Sequence, residues 1–391
     1  MLAGPVRTPI GRFGGALTPL SAADLGTAAA TAALDRLNLD PAAIDQVVFG
    51  HARQAGGGPN TARQIAFRIG VPTDRPAFTV NQACGSGLQA ALCAARAITL
   101  GEARVVLVGG TESMSNTPHM LPRARWGQRL GHGEIVDGMY KDGFVDPLSE
   151  LIMGETAEEL AEETGIDRQV SDEYAARSQQ RCEQARATGR FDREIVPVRI
   201  EDRKGEQLVD RDEHPRDGVT AESLAKLRAV FREGGVVTAG NASGITDGAA
   251  ALVVASEEAA AELGLEAAGR LLDWEVVGVD PRLMGIGPVP AVRKLLERAG
   301  LTCADIDLVE LNEAFASQVL ACLADLPFDP ARVNADGGAI ALGHPIGCTG
   351  ARILVTLLHG MAARGAARGV ATLCVSGGMG LAALVGREID A

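Results

Sequence analysis

The sequence lacks the residue patterns that mark metal sites, disulfides and nucleic-acid binding. Its seven cysteines include no C-x-x-C pair, and its six histidines include no H-x-x-x-H pair. We therefore expect no metal site and no disulfide framework, and a reducing cytoplasm is the default location. Asp and Glu outnumber Lys and Arg by 50 to 37, and no basic cluster is long enough for a nucleic-acid-binding face.

Aromatic residues are also scarce, at 3% of 391 residues, whereas glycine is abundant, with 48 residues. This balance predicts many tight turns and close backbone approaches. The stretch 369–386 runs for 18 residues without a charge, which is near the length of a membrane span. Because it contains five glycines, we interpret it as two buried strands joined by a glycine turn. We expect no membrane partner, and the N-terminal residues do not form a signal peptide.

Two related segments flank a middle region of different character. Each reads as an Asp before a buried strand, a glycine-rich turn into a helix, and a second buried strand that ends in Gly-Gly. Asp45 precedes Cys84 by 39 residues in the first segment, and Asp307 precedes His344 by 37 in the second. Matching spacing over three elements predicts a duplicated α/β unit whose strands are covered on both faces by helices. The length predicts two or three domains.

The middle region, 116–243, has the composition of an insertion that covers something. Residues 199–217 contain 12 charged side chains out of 19, which predicts a solvated surface loop. Ser171, followed by two acidic residues, is predicted to cap the N-terminus of a helix, and Gly189 is predicted to end that helix.

Four side chains at predicted strand ends or strand–helix turns could carry chemistry. A thiol at a helix N-terminus, as predicted for Cys84, is favoured as a thiolate, although an inert buried cysteine is the plain alternative. Ser86 is a rival nucleophile, but the G-x-S-x-G pattern is absent. His344 could accept a proton or polarise a carbonyl, or could be an ordinary turn residue. Cys374, at the end of a buried strand, is more simply a small core residue. Asn312 could hold a water or donate to an oxyanion, or could be a helix cap. Open α/β sheets place their sites beyond the carboxyl ends of strands, where all four lie.

The motifs as a set resemble those of the thiolase family, the acetyl-CoA acetyltransferases and 3-ketoacyl-CoA thiolases. They cover nearly the whole chain in family order: VRTPIGRFGG, NQACGSGLQA, MGETAE, GNASGITDGAAA, LNEAF, GGAIALGHPIGCTGARI and CVSGGMG. The resemblance implies an α/β thiolase fold, in which two duplicated mixed-sheet halves form a five-layered αβαβα core with an inserted loop domain. The implied domains are 1–115 with 244–268, the inserted loop domain 116–243, and 269–391.

The resemblance also implies the reaction and the role of each catalytic residue. The reaction is the reversible Claisen condensation of acetyl-CoA with an acyl-CoA, or the thiolysis of a 3-oxoacyl-CoA by coenzyme A. Cys84 is then the nucleophile that carries the acyl group, and His344 activates it and points into an oxyanion hole. Cys374 is the second acid/base, and Asn312 holds a water for the enolate oxygen. Backbone N–H groups of Cys84 and of the turn after Cys374 form a second oxyanion hole.

By the same resemblance, the inserted domain binds coenzyme A, which is a substrate like acetyl-CoA; no tightly bound cofactor is expected. The positions that match the family's contacts to the pantetheine, the nucleotide end and the acyl group are Ser243, Phe231, Arg216, Leu227, Ala239, Met153 and Met284. Each has a plain alternative as a core residue or a solvated side chain. The family habit implies a homodimer or a homotetramer.

Three features depart from the family pattern. Ile152 replaces the histidine usual in short-chain members, which puts strict acetoacetyl-CoA specificity in doubt. Ser376 replaces a glycine, which the hole tolerates if the φ of this serine is negative. The chain begins only a few residues before VRTPIG, so we expect a short first strand and a start that is truncated relative to the family.

Two other functions stay open from the sequence. A ketoacyl-synthase-like, decarboxylative condensing enzyme would keep the fold but has no second active-site cysteine, so Cys374 argues against it. A non-catalytic acyl-CoA-binding protein on the same scaffold would not need Cys84 or His344. A dinucleotide dehydrogenase is weaker still, because GIGPVP at 285–290 fails at the last glycine of G-x-G-x-x-G.

Overall fold

The computed structural model describes residues 1–202 and 205–387. The strands in chain order are β1 (Leu2–Arg7), β2 (Gly11–Arg12), β3 (Gln46–Gly50), β4 (Ala77–Val80), β5 (Val105–Ser113), β6 (His119–Met120), β7 (Val136–Asp137), β8 (Val198–Asp202), β9 (Gly205–Val209), β10 (Thr246–Ala255), β11 (Arg270–Gly278), β12 (Leu308–Leu311), β13 (Arg368–Val375) and β14 (Met379–Gly386). The α-helices are α1 (Ala22–Leu37), α2 (Thr61–Arg68), α3 (Ser86–Thr99), α4 (Met153–Thr164), α5 (Arg168–Ala187), α6 (Ala221–Leu224), α7 (Glu257–Leu263), α8 (Pro288–Ala299), α9 (Ala316–Asp325), α10 (Ala339–Leu342) and α11 (Ile346–Arg364).

The elements stack in five layers. Helices α1 and α2 cover the outer face of a first sheet, and α8 and α9 cover the outer face of a second sheet. Between the two sheets lies a layer made of α3 and α11, whose apolar side chains form one continuous core with both sheets. The predicted αβαβα core is therefore confirmed.

Both sheets are mixed, as predicted. The first has the order β1-β10-β5-β3-β4, with β2 paired to β10; β3 is parallel to β4 and β5, and β10 is antiparallel to β1 and β5. The second has the order β11-β14-β13-β12, in which only β12 and β13 are parallel. All nine residues of β5 are buried, which explains its unbroken apolar run.

The repeated sequence pattern is a structural repeat. In the first half, Asp45 Oδ2 accepts hydrogen bonds from the backbone N–H groups of residues 104 and 105, at 2.8 and 2.9 Å. In the second half, Asp307 Oδ2 accepts from residues 367 and 368, both at 2.9 Å. Each carboxylate thus joins the start of one parallel strand to the start of its neighbour, at equivalent places in the two sheets.

The two central helices approach each other through glycine. A Cβ atom on Gly87 of α3 would lie 2.5 Å from the backbone nitrogen of Ala351, and one on Gly350 of α11 would come even closer to that of Leu88. Only residues without a side chain allow this approach. The contact is reciprocal, and it brings the N-termini of both helices together.

The middle region corrects two predictions. Helix α5 begins at Arg168 and not at Ser171, because Asp167 adopts extended geometry and its side chain accepts from the N–H of Val170. Ser171 Oγ instead donates to the Asp167 carbonyl at 2.8 Å. The predicted stop is confirmed, since α5 ends two residues before Gly189, whose φ is +67°.

The charged segment 199–217 is not simply a loop. Part of it forms the hairpin of β8 and β9, because three apolar side chains of this hairpin, Val198, Ile200 and Val209, pack into the core beneath the first sheet. Residues 203 and 204 lie outside the described residues.

The uncharged stretch 369–386 forms β13, a glycine turn and β14, as predicted. One α-helix in the described part of the chain, α11, is long and apolar enough to cross a membrane, but 83% of its apolar window is buried inside the fold. This degree of burial is that of a core helix.

Candidate active site

A largely apolar cavity of about 290 Å³ opens where the two halves meet. Three of the predicted catalytic side chains line it: Cys84 from the first half, and His344 and Cys374 from the second. Residues separated by 260 positions in the chain thus share one site.

Cys84 lies in the turn from β4 to α3, two residues before the helix begins. Ala83 has a φ of +45°, a conformation that L residues rarely adopt, and a hydrogen-bonded turn maintains it. Ser86 Oγ accepts from the N–H of Gln82 at 2.9 Å and donates to the carbonyl of Ala83 at 2.7 Å. The rival nucleophile Ser86 is therefore a buried structural residue, and the turn presents Cys84 to the cavity.

His344 also lies two residues before its helix, α11, and faces the Cys84 thiol. The distance from His344 Nε2 to Cys84 Sγ is 3.3 Å. On the other side of the ring, Nδ1 is 2.6 Å from Thr349 Oγ1, whose own proton goes to the carbonyl of Pro345 at 3.0 Å. Because that hydroxyl is already a donor, it accepts the Nδ1 proton. The lone pair of Nε2 is thereby directed at the thiol.

The charge state of this pair follows from burial. Burial, with help from the nearby Arg352 and Arg53 cations, lowers the pKa of His344 to about 3. Burial raises the pKa of Cys84, against the lowering effects of the Arg53 cation and of a hydrogen bond from the backbone N–H of Ser376. At neutral pH the resting pair is therefore a thiol beside a neutral imidazole that can accept its proton.

Cys374 is the last residue but one of β13 and is 1% exposed. Burial, and secondarily the charge of Cys84, raises its pKa well above the ordinary range, so it rests as a neutral thiol. Ser376 is not among the residues with positive φ, so the condition on this serine is met. Its N–H reaches Cys84 Sγ, and the following Gly377 and Gly378, at φ values of +84° and +79°, make the turn.

Asn312 follows β12 directly and is buried beside the site without lining the cavity. Its backbone N–H donates to the carbonyl of Thr372 at 3.0 Å. Neither its side-chain nitrogen nor its side-chain oxygen has a hydrogen-bond partner among the described residues. An amide buried in this way keeps both groups available to a water or a ligand.

Comparison with known families gives matches over almost all of the described chain. The family model for the N-terminal domain of thiolase matches residues 1–258, and that for the C-terminal domain matches residues 265–387. The chain belongs to the thiolase family. It is therefore an acyltransferase with thiolase activity.

Individual thiolases resemble the chain over almost its full length. The acetyl-CoA acetyltransferase of Allochromatium vinosum is 51% identical over 382 residues, which is 97% of each chain. The crystal structure of the Bacillus anthracis acetyl-CoA acetyltransferase is 46% identical, with a TM-score of 0.96 and 98% of each chain covered. A crystal structure of human mitochondrial 3-ketoacyl-CoA thiolase in complex with CoA is 42% identical, with a TM-score of 0.95 and 99% of this chain and 97% of that one covered.

The residues predicted from the thiolase motifs to bind coenzyme A or the acyl group fall into two groups. Five of them line the cavity, namely Ser243, Phe231, Ala239, Met153 and Met284. Ile152 lines it as well. Arg216 and Leu227 do not line it, and both side chains are exposed at the surface. The binding roles of all seven stay predictions.

Sequence reasoning missed one wall of this thiolase's cavity. An apolar cluster beside Cys84 contains Met114, Phe144 and Ile346, which line the cavity, and Ala52 and Met139, which pack against them. It also missed Arg53, which lines the same cavity. The signal was present, since Arg53 follows the end of β3 by three residues and β3 is the parallel neighbour of β4.

Glu112 fastens the two catalytic turns together. Its carboxylate accepts from the backbone N–H groups of Ala52, Arg53 and Gly347 at 2.8–3.2 Å, and it lies 3.1 Å from His51 Nε2. Burial alone would raise the pKa of Glu112, but His51, Arg53 and the N–H of Gly347 lower it overall. A charged Glu112 therefore links the loop after β3 to the start of α11.

No group of three or more side chains that could hold a metal occurs in the described ranges.

Proposed function

We propose that this thiolase is an acetyl-CoA C-acyltransferase, which joins acetyl-CoA to an acyl-CoA and releases coenzyme A, or cleaves the 3-oxoacyl-CoA in reverse. The supporting observation is the 3.3 Å contact in which the lone pair of His344 Nε2 faces the Cys84 thiol. Relatives about 50% identical are named acetyl-CoA acetyltransferases. A protein that only bound acyl-CoA would not need this oriented pair.

Acyl transfer begins at Cys84. As the sulfur attacks the thioester carbonyl, its proton passes to His344 Nε2, which then protonates the departing coenzyme A sulfur. The tetrahedral oxyanion is stabilised by the N–H groups of Cys84 and of the turn that contains Ser376. The N–H of Ser376 already donates to the Cys84 sulfur.

Carbon–carbon bond formation then falls to Cys374. The negative charge that Cys84 carries when ionised raises the pKa of Cys374. An acylated Cys84 cannot ionise, so acylation makes the deprotonation of Cys374 easier. Cys374 first passes its proton to His344 Nε2, and the resulting thiolate takes the α-proton of acetyl-CoA. The enolate attacks the acyl group on Cys84, whose departing sulfur recovers the proton from His344. The enolate oxygen is stabilised by a donor on Nε2 of His344 and by a water held at Asn312. In thiolysis the same thiol returns the proton.

The finer predictions belong to this proposal. Coenzyme A enters along Ser243 and Phe231, and the apolar Ile152 supports acyl groups longer than acetyl. The division into domains 1–115 with 244–268, 116–243 and 269–391 stays a prediction. So do a homodimer or homotetramer, a cytoplasmic location and a role in fatty acid metabolism.

The test separates acylation from condensation. Cys84→Ala is expected to form no acyl-enzyme with acetyl-CoA, as judged by mass spectrometry of the protein. Cys374→Ala is expected to acylate normally and to lose condensation by a factor of about 10²–10⁴, because its general acid/base is gone.

Cys93→Ala, on α3 and outside the cavity, is the matched control and should retain both steps. Normal condensation by Cys374→Ala would contradict the assigned role. Turnover of malonyl thioesters but not of acetyl-CoA would instead favour a decarboxylative enzyme.

A further inference from the structure

The catalytic cavity contains one permanently charged side chain for which the proposed reaction has no direct use. Among the described residues that line it, Arg53 is the only residue of the four charged types Lys, Arg, Asp and Glu. Arg53 is 8% exposed, and its Nε has neither solvent contact nor a hydrogen-bond partner. The backbone of Gly143 packs against the guanidinium so closely that a Cβ there would overlap it. The cation is therefore held in place at the cavity wall.

No carboxylate of the described chain neutralises this cation through an ion pair. The carboxylate whose charge it influences is Glu112, and the oxygens of Glu112 are already occupied by three backbone N–H groups and by His51. A cation that is largely removed from water and has no ion-pair partner is destabilised relative to one that is paired. The guanidinium fork matches a carboxylate with two parallel hydrogen bonds, so a carboxylate ligand would remove that destabilisation.

The position of Arg53 relates it to the acyl group and not to coenzyme A. The predicted pantetheine contact Phe231 and the predicted acyl-group contacts Met153 and Met284 pack in an apolar cluster around Cys374. Cys84 packs against a separate cluster, which contains Phe144, Met114 and the neighbour of Arg53, Ala52. An acyl chain on Cys84 that runs along this second wall leads away from coenzyme A and towards Arg53.

We propose that this thiolase accepts 3-oxoacyl-CoA substrates whose acyl chain ends in a carboxylate, and that Arg53 binds that carboxylate. The inference rests on the proposed function. Cys84 attacks C3, the C2–C3 bond breaks, and C2 takes a proton from Cys374 to give acetyl-CoA. His344, which accepted the proton of Cys84, passes it to the Cys374 thiolate. Coenzyme A then attacks the thioester, and its proton passes through His344 to the departing Cys84 sulfur, which releases an ω-carboxyacyl-CoA. The terminal carboxylate is unchanged throughout, and no oxidant or reductant is needed.

The decisive experiment compares two six-carbon 3-oxoacyl-CoA substrates, one ending in a methyl group and one in a carboxylate. The measured quantity is the ratio of kcat/KM for the carboxylate substrate to kcat/KM for the methyl substrate. Arg53→Leu is expected to lower this ratio at least tenfold, because it removes a charge-assisted hydrogen bond that only the carboxylate substrate makes. Arg53→Lys should retain part of the ratio, since it keeps the charge but not the fork.

Arg104→Leu is the matched control, because Arg104 is an exposed arginine paired with the exposed Glu262. It should leave the ratio as in the wild type. Equal losses on both substrates in Arg53→Leu would overturn the inference, since Arg53 would then act only through Cys84, His344 or the fold.

Two further measurements separate this inference from the proposed function. If the wild type cleaves acetoacetyl-CoA but no carboxylate-ended substrate from five to eight carbons, the inference fails and the proposed function stands. If it cleaves no 3-oxoacyl-CoA, the proposed function fails, and calorimetric binding decides the inference. Cys84→Ala protein should bind an ω-carboxyacyl-CoA at least tenfold more tightly than the same protein with Arg53→Leu added, and equal affinities would overturn it.

Discussion

The turn that carries Cys84 and the turn that carries His344 are built alike and used differently. Each catalytic residue lies two residues before a central helix, α3 or α11, and so feels the positive potential of a helix N-terminus. That potential favours a thiolate and disfavours an imidazolium. The same local fold therefore prepares a nucleophile in one half and a neutral base in the other, and the residue type alone decides which.

The largest expected effect comes from pushing the two turns apart. Gly87→Ala and Gly350→Ala each place a methyl group against the backbone of the opposite central helix. We expect each to lower the free energy of unfolding by about 3 kcal/mol, as overpacking does, and to reduce thiolysis because Cys84 and His344 separate. Urea unfolding followed by circular dichroism and a thiolysis assay would measure both.

Gly278→Ala is the matched control, since the nearest atom lies 3.9 Å from its Cβ position and its φ is not positive. It should change the unfolding free energy by less than about 0.5 kcal/mol. The double variant Gly87→Ala with Gly350→Ala should lose less than the sum of the two single losses, because both methyl groups open the same interface. Strict additivity would mean that the helices do not share this contact.

A smaller effect is the opposite pH dependence that the two turns give to the free energy of unfolding. The pKa of His344, about 3 in the fold, lies below its ordinary value of 6.5, so its contribution to stability is full above pH 6.5 and is lost as the pH falls. Between pH 7 and pH 5 this loss amounts to about 2 kcal/mol. The raised pKa of Cys84 has the opposite sign, so its contribution is lost as the pH rises above its ordinary value of 9.0.

Unfolding free energies at pH 5, 7 and 9.5 would show this division. His344→Asn should have a shallower decline between pH 7 and pH 5 than the wild type, whereas Cys84→Ser should keep the acid decline and flatten the alkaline one. An acid decline unchanged in His344→Asn would refute the assignment.

The smallest effect tests whether the repeat is energetically equal in its two copies. Asp45→Ala and Asp307→Ala each remove two hydrogen bonds to backbone N–H groups from a partly exposed carboxylate. We expect each to cost about 1 kcal/mol in chemical denaturation, with equal values within about 0.5 kcal/mol and additive behaviour in the double variant. Asp74→Ala, on an exposed side chain, is the control, and a clear inequality between the two sites would show that the halves have diverged in stability.

What the sequence could predict depends on how locally each feature is encoded. Cys84 and His344 were identifiable because glycine-rich turns and helical patterns mark helix N-termini within a few residues. The predicted start of α5 was wrong because Asp167 and Ser171 are both residues that cap helices well, and only the packed structure decides between them. Arg53 follows the carboxyl end of β3, which is a positional signal, but its place beside Gly143 and Cys84 is set by tertiary packing that the sequence does not show.

The residues predicted to bind coenzyme A or the acyl group show the same limit. Met153 and Met284 come together because α4 packs against the segment that precedes α8, which is a tertiary contact. Arg216 and Leu227 matched family positions equally well, yet they remain at the surface. A motif can assign a residue to a domain, but the cavity is defined only when both halves and the inserted region pack together.

The reciprocal contact of Gly87 and Gly350 limits how the two halves can change. A substitution that shifts one central helix is compatible with function only if the other helix shifts to match. A chimaera that takes its first half from one relative and its second half from another would join two surfaces that were adjusted to different partners. Although the halves are copies in architecture, they are inherited as a single unit.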